Sequence, residues 1–152
     1  MGVIIFVMYG KRFLLMLKWA VFLVIIEYGL QYATIFIILV IVGLTKHISI
    51  DANVTKSLLI PSTIISQLIF IPFVYLFCYK AAKESFKKGL NTGLRRGYAG
   101  LYVSMGVALI SQLIIIVVNY FLTGNFNFAV GVLPIIVGWI AGSKAEKRFS
   151  KK

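Results

Sequence analysis

The sequence predicts an all-α membrane protein: a bundle of four transmembrane helices with both termini in the cytoplasm. Three observations predict it. Of the 152 residues, 61% are apolar and only 13% are charged, and mean hydropathy is +0.98. Soluble domains carry about 45–50% apolar and about 25% charged residues, and disordered chains have lower hydrophobicity still. The apolar residues also form long runs almost free of charge, as bilayer-crossing helices require. Finally, 16 Lys and Arg against 4 Asp and Glu collect between alternate runs, a topological pattern rather than an even surface distribution.

The spans follow in order. Residues 19–44 form the first, interrupted by Glu27. Residues 57–79 form the second and 97–122 the third. A helix needs about 20 residues to cross the hydrocarbon, with a range of about 17–25. The fourth apolar run, 128–142, is short, so the expected span is 125–143 with local thinning or snorkelling. Pro72 and Pro134 fall inside spans and predict bends, whereas Pro61 lies near the start of its span, where proline is tolerated. Residues 3–9 are apolar but too short to span. Lys11 and Arg12 follow them, the reverse of a secretory signal's charge order. They are expected to extend the first helix or lie at the interface.

The loops set the orientation. Lys11, Arg12 and Lys18 precede the first span. Lys80, Lys83, Lys87, Lys88, Arg95 and Arg96 fill the loop at 80–96. Lys144, Lys147, Arg148, Lys151 and Lys152 fill the tail at 144–152. The opposite side holds Lys46 and Lys56, with Asp51 between them. The positive-inside rule places the richer side, and both termini, in the cytoplasm. No segment is long enough for a separate soluble domain, so residues 1–152 read as one transmembrane domain. The short outer link at 123–127 makes spans three and four an antiparallel hairpin. The tyrosine pairs Tyr75/Tyr79 and Tyr98/Tyr102 belong to the cytoplasmic aromatic belt.

Ala82, Phe86, Leu90 and Leu94 recur every fourth residue within the basic loop, with the basic side chains mostly off that stripe. This pattern predicts an amphipathic segment on anionic lipid headgroups. Lys80, Lys83, Lys87, Lys88, Arg95 and Arg96 would make the contact, and the acidic surface of a partner is the alternative. Gly89 is expected to cap one helix, and Asn91 or Thr92 to start another.

Ionisable groups inside a bilayer are costly and are candidates for function. Glu27 is the one such group well inside a span, roughly 10 Å from the cytoplasmic boundary at about 1.5 Å per residue. Gln31 and Thr34 follow on the same face. Ser66 and Gln67 in span two, and Ser111 and Gln112 in span three, supply further polar groups. Counted from the boundaries, Gln31, Gln67 and Gln112 all fall about 17–22 Å from the cytoplasmic side. Two readings follow for this cluster: structural hydrogen bonding between helices, or a relay through Glu27.

Small residues mark a packing face. Gly97, Gly100, Ser104, Ala108 and Ser111 are spaced by three or four in span three, and Gly131, Gly138 and Gly142 lie in span four. Such faces let helix backbones approach closely. Within a hairpin they most simply pack on each other; a partner's helix is the other possibility.

Motifs for chemistry are absent: there is no Walker A sequence, nucleophile elbow or HExxH. The single Cys78 and single His47 exclude a Cys/His metal set. No cofactor, metal or nucleic-acid partner is expected, and no enzymatic activity. The expected role is a small non-catalytic subunit or accessory protein within a larger membrane complex. The alternatives are a small homo-oligomeric transporter or channel using Glu27, and a membrane-acting toxin, holin-like or immunity protein.

Overall fold

The described residues form four helices: α1 (Gly2–Lys46), α2 (Ala52–Lys87), α3 (Ala99–Thr123) and α4 (Val132–Phe149). The computed structural model describes residues 2–46, 52–91, 93–95, 97–124 and 131–150. His47, Asp51, Thr92, Arg96, residues 125–130, Lys151 and Lys152 lie outside the described residues. Three stretches are long and apolar enough to cross a membrane: Phe6–Leu44, Pro61–Lys87 and Ala99–Thr123. The chain is therefore all-helical with a membrane-embedded character.

α1 has 45 residues, a length of about 68 Å. That is more than twice the hydrocarbon thickness of about 30 Å. The apolar residues at 3–9 thus belong to this helix, and Lys11, Arg12 and Lys18 fall within its N-terminal half. The chain divides into two compact units, Met1–Val24 with Pro72–Lys152, and Ile25–Ile71. One boundary falls inside α1. The other falls at Pro72 in α2, where the missing N–H removes a helical hydrogen bond.

The larger unit is built on small side chains. Ala20, Ala81, Ala82, Ala108, Ala141 and Ala145 are completely buried, together with Cys78, Val103 and Val107. On α3 the buried positions Gly100, Val103, Ser104, Val107, Ala108, Ser111 and Ile115 recur every three or four residues, the period of one helix face. α4 turns Pro134, Gly138, Ala141, Gly142, Ala145 and Glu146 inward.

Helix ends differ from those the sequence predicts. α2 does not stop at Tyr79 but runs to Lys87, because Ala81, Ala82 and Ser85 carry its buried face onward. Gly89 then ends it as a left-handed cap at φ 64°. The N–H of Gly89 donates to the Phe86 carbonyl at 3.2 Å, and that of Leu90 to the Ser85 carbonyl at 3.0 Å, the paired bonds of a Schellman motif. Asn91 lies in a turn rather than at a helix start, and the Ser85 hydroxyl donates to Asn91 Oδ1 at 2.5 Å.

α4 starts at Val132 and continues to Phe149, so residues 144–149 are helix rather than tail. Its interior face continues through Ala145 and Glu146. Pro134 consequently sits in the first turn, where no N–H is needed, instead of kinking a helix interior. Pro61, by contrast, is not near a helix start: α2 begins at Ala52, which puts Pro61 in the third turn, where its missing N–H removes an interior hydrogen bond.

Candidate functional site

In the smaller unit, α1 and α2 share a polar contact. The Gln67 amide Nε2 donates to Glu27 Oε1 at 2.9 Å, and the Glu27 side chain is buried. Forty residues separate the pair in sequence. The contact satisfies an oxygen of a buried carboxylate, which is the condition for tolerating one there. The other hydroxyls on these helices bond locally. Thr34 donates to the Leu30 carbonyl at 2.7 Å, and Ser66 donates to the Thr63 carbonyl at 2.9 Å. Gln31 is half-buried on α1.

In the larger unit, α3 and α4 meet along small residues. A Cβ at Gly142 would overlap the Ser104 hydroxyl and approach the Leu101 Cα to 2.8 Å and the Gly100 carbonyl to 2.9 Å. A Cβ at Gly138 would meet the Ala108 Cβ at 3.0 Å and the Ser104 carbonyl at 3.2 Å. Glycine at 142 is thus a requirement of backbone contact. Ser104 donates back to the Gly100 carbonyl at 2.9 Å, and Ser111 to that of Ala108 at 2.8 Å. Both hydroxyls therefore donate their proton within α3. Gln112 is also buried on this helix.

Two glycines stand apart from the expected face. Gly97 precedes α3 in a left-handed conformation at φ 95°. Gly131 is the residue before α4. The reason for Gly97 is Glu146. One carboxylate oxygen of Glu146 accepts the Gly97 N–H at 3.0 Å. The other accepts the Gly100 N–H at 2.5 Å. A carboxylate from the last turns of α4 thus satisfies two otherwise orphaned donors at the start of α3, where the helix dipole favours negative charge. Tyr98, the N-cap position, makes no side-chain cap bond. Sequence reading placed Glu146 in a tail. The signal was present nonetheless, since Glu146 follows Gly138 and Gly142 at intervals of four on the same face.

The basic residues gather around two further polar anchors in the larger unit. The Trp19 indole N–H donates to Glu84 Oε2 at 2.8 Å. Glu84 Oε1 lies 2.7 Å from Lys88 Nζ and 3.6 Å from Lys18 Nζ. Trp19 also packs edge-on against Phe77 at 5.4 Å. Arg12, counted from sequence only as flanking charge, is 2% exposed, and its Nε donates to the Leu90 carbonyl. The remaining cations lie along aromatic surfaces, with ammonium heads at the periphery. Lys80 Nζ is 5.7 Å from the Phe77 ring, Lys83 Nζ 5.9 Å from Phe149, and the Arg95 guanidinium 6.0 Å from Tyr98. Lys87 is exposed. Cys78 is completely buried, a small apolar packing residue.

Among the described residues, no group of three or more His, Cys, Asp or Glu side chains is placed to hold a metal ion. Fold and site together define an all-helical, membrane-embedded protein whose buried polar side chains fasten one helix to another. No protein-family model, curated protein or solved structure matches the chain.

Proposed function

We propose that this chain is a small non-catalytic integral membrane subunit or accessory protein that packs within a larger membrane complex. In this reading it crosses the bilayer four times with both termini in the cytoplasm. One observation carries the role. Glu27, Glu84 and Glu146, the acids among the described residues, each accept hydrogen bonds from the chain's own groups. These carboxylates act as fasteners, and helix packing is the property the chain presents. Gentle detergent extraction from the native membrane, followed by native mass determination, tests the role. Co-migration with different proteins supports it. A homogeneous self-oligomer, or a monomer near 17.0 kDa, overturns it.

A second reading, a small homo-oligomeric transporter or channel, is favoured by the burial of Glu27 in an apolar helical hairpin. Glu27→Gln separates the two. An accessory subunit keeps its assembly and most of its function, because an amide still bonds Gln67. A transporter relaying a proton or cation through the carboxylate loses transport.

A further inference from the structure

A groove of about 390 Å³ opens between the N-terminal part of α1 and the end of α2, lined by Lys11, Leu14, Leu15, Lys18, Lys88 and Leu90. Its size falls within the range of ligand sites, about 300–1,000 Å³. Lys11 and Lys18 stand two helical turns apart, about 10.5 Å along α1, with the two leucines between them. Lys88 enters from the other side. Three lysines therefore line the groove beside one carboxylate, Glu84, which pairs with Lys88 and Lys18. The local excess of charge is positive. The apolar wall is fixed rather than loose: Leu15 and Leu90 are buried, the buried Arg12 donates to the Leu90 carbonyl, and the Leu90 N–H is tied to Ser85.

We propose that this groove binds the phosphate headgroup of an anionic phospholipid, with Lys11, Lys18 and Lys88 around the phosphate and the leucines against the start of the acyl chains. A phosphate alone has no use for the leucine wall, whereas an amphipathic lipid has. The exposed Phe13 and Leu14 beside the groove suit lipid contact on a helix that is apolar enough to cross a membrane. Basic pockets between membrane helices are a recurrent form of headgroup recognition. The site is distinct from the lysines of 80–87, which lie over aromatic rings or in the open.

The test is lipid retention by the full chain in mild detergent, read by native mass spectrometry with phosphatidylglycerol or phosphatidylcholine added. Wild type is expected to retain phosphatidylglycerol and lose phosphatidylcholine. Lys11→Gln/Lys18→Gln/Lys88→Gln should weaken retention about ten-fold or more, since each lysine near an anionic lipid contributes about a factor of five. Lys144→Gln/Lys147→Gln/Arg148→Gln removes the same charge outside the groove, on α4, and should retain the lipid. Lys11→Arg/Lys18→Arg/Lys88→Arg should also retain it, which separates lost charge from lost folding. Equal weakening in both glutamine triples would overturn the site in favour of diffuse surface charge. So would loss of lipid from the arginine triple, or full retention in the first. Displacement of the lipid by millimolar inorganic phosphate would mark a free-anion site and overturn the lipid assignment.

Discussion

Glu146 near the end of α4 holds the first turn of α3 through Gly100: its Oε2 accepts the Gly100 N–H at 2.5 Å, while Oε1 accepts that of Gly97. The contact also explains a glycine. A Cβ at position 100 would lie 3.1 Å from the Glu146 carboxylate, the Gly142 carbonyl and the Phe86 ring. The smallest residue lets the carboxylate reach the backbone, and the carboxylate in turn caps the helix. One acidic side chain thereby sets the distance between α3 and α4 at their charged end.

Replacing Glu146 by alanine leaves two N–H groups without their acceptor. The Gly100 N–H is buried, and leaving it unsatisfied costs about 1–3 kcal/mol; Gly97 is exposed and its N–H can turn to water, while the loss of charge at the helix start adds to the cost. Unfolding in mixed detergent should show a large loss of stability for Glu146→Ala and a smaller one for Glu146→Gln, whose amide oxygen still accepts one bond. Amide hydrogen exchange supplies the local check: exchange at Gly97 and Gly100 should accelerate. Unchanged exchange at both would show that the carboxylate does not cap α3 in the membrane.

The α3–α4 seam makes a paired prediction about glycine. Gly142→Ala places a methyl group against the Leu101 Cα and the Gly100 carbonyl, backbone atoms that cannot rotate away. Overpacking of this kind costs about 1–3 kcal/mol. Gly10→Ala meets nothing within 4 Å and should stabilise α1 by about 0.5–1 kcal/mol through helix propensity alone. The same detergent titration reads both, and equal effects would remove the case for close contact at Gly142.

A double-mutant cycle tests the Glu27–Gln67 bond. Interhelical hydrogen bonds in membranes average about 0.6 kcal/mol, with a maximum near 1.7 kcal/mol. The coupling between Glu27→Ala and Gln67→Ala, each of which removes the bond, should fall in that range. A coupling of zero would mean that the two side chains do not meet in the bilayer.

Topology is read by cysteine labelling, since the native Cys78 is completely buried and should stay silent. Cysteines at Asn53 and Asn125 should react with an impermeant reagent from outside, and one at Ser150 should not. Reaction at Ser150 from outside would reverse the orientation. Protection at Asn125 would remove the fourth crossing.

Helical class and membrane character were legible in the residues because both are set locally. A run of apolar residues long enough to cross the hydrocarbon declares itself without reference to the rest of the chain, and α1, α2 and α3 contain such runs. The small-residue spacing of Gly100, Ser104 and Ala108, facing Gly138 and Gly142, was visible for the same reason: helical period alone places them on one face. Helix ends were legible only in part: Gly89 was expected as a cap and is one. α2 continues to Lys87 and α4 to Phe149, although lysines crowd both ends, because buried alanines beneath them keep packing.

What only the tertiary structure decided is the role of each charge. By sequence, Arg12 was flanking charge, Glu146 a tail residue and Glu84 one more loop acid. In the structure Arg12 bonds Leu90, Glu146 bonds Gly97 and Gly100, and Glu84 bonds Trp19. Hydrophobicity is a property of the segment that carries it, so a sequence displays it directly. The worth of a buried charge is a property of its partner, and these partners lie 46 to 78 residues away, where only folding brings them within reach.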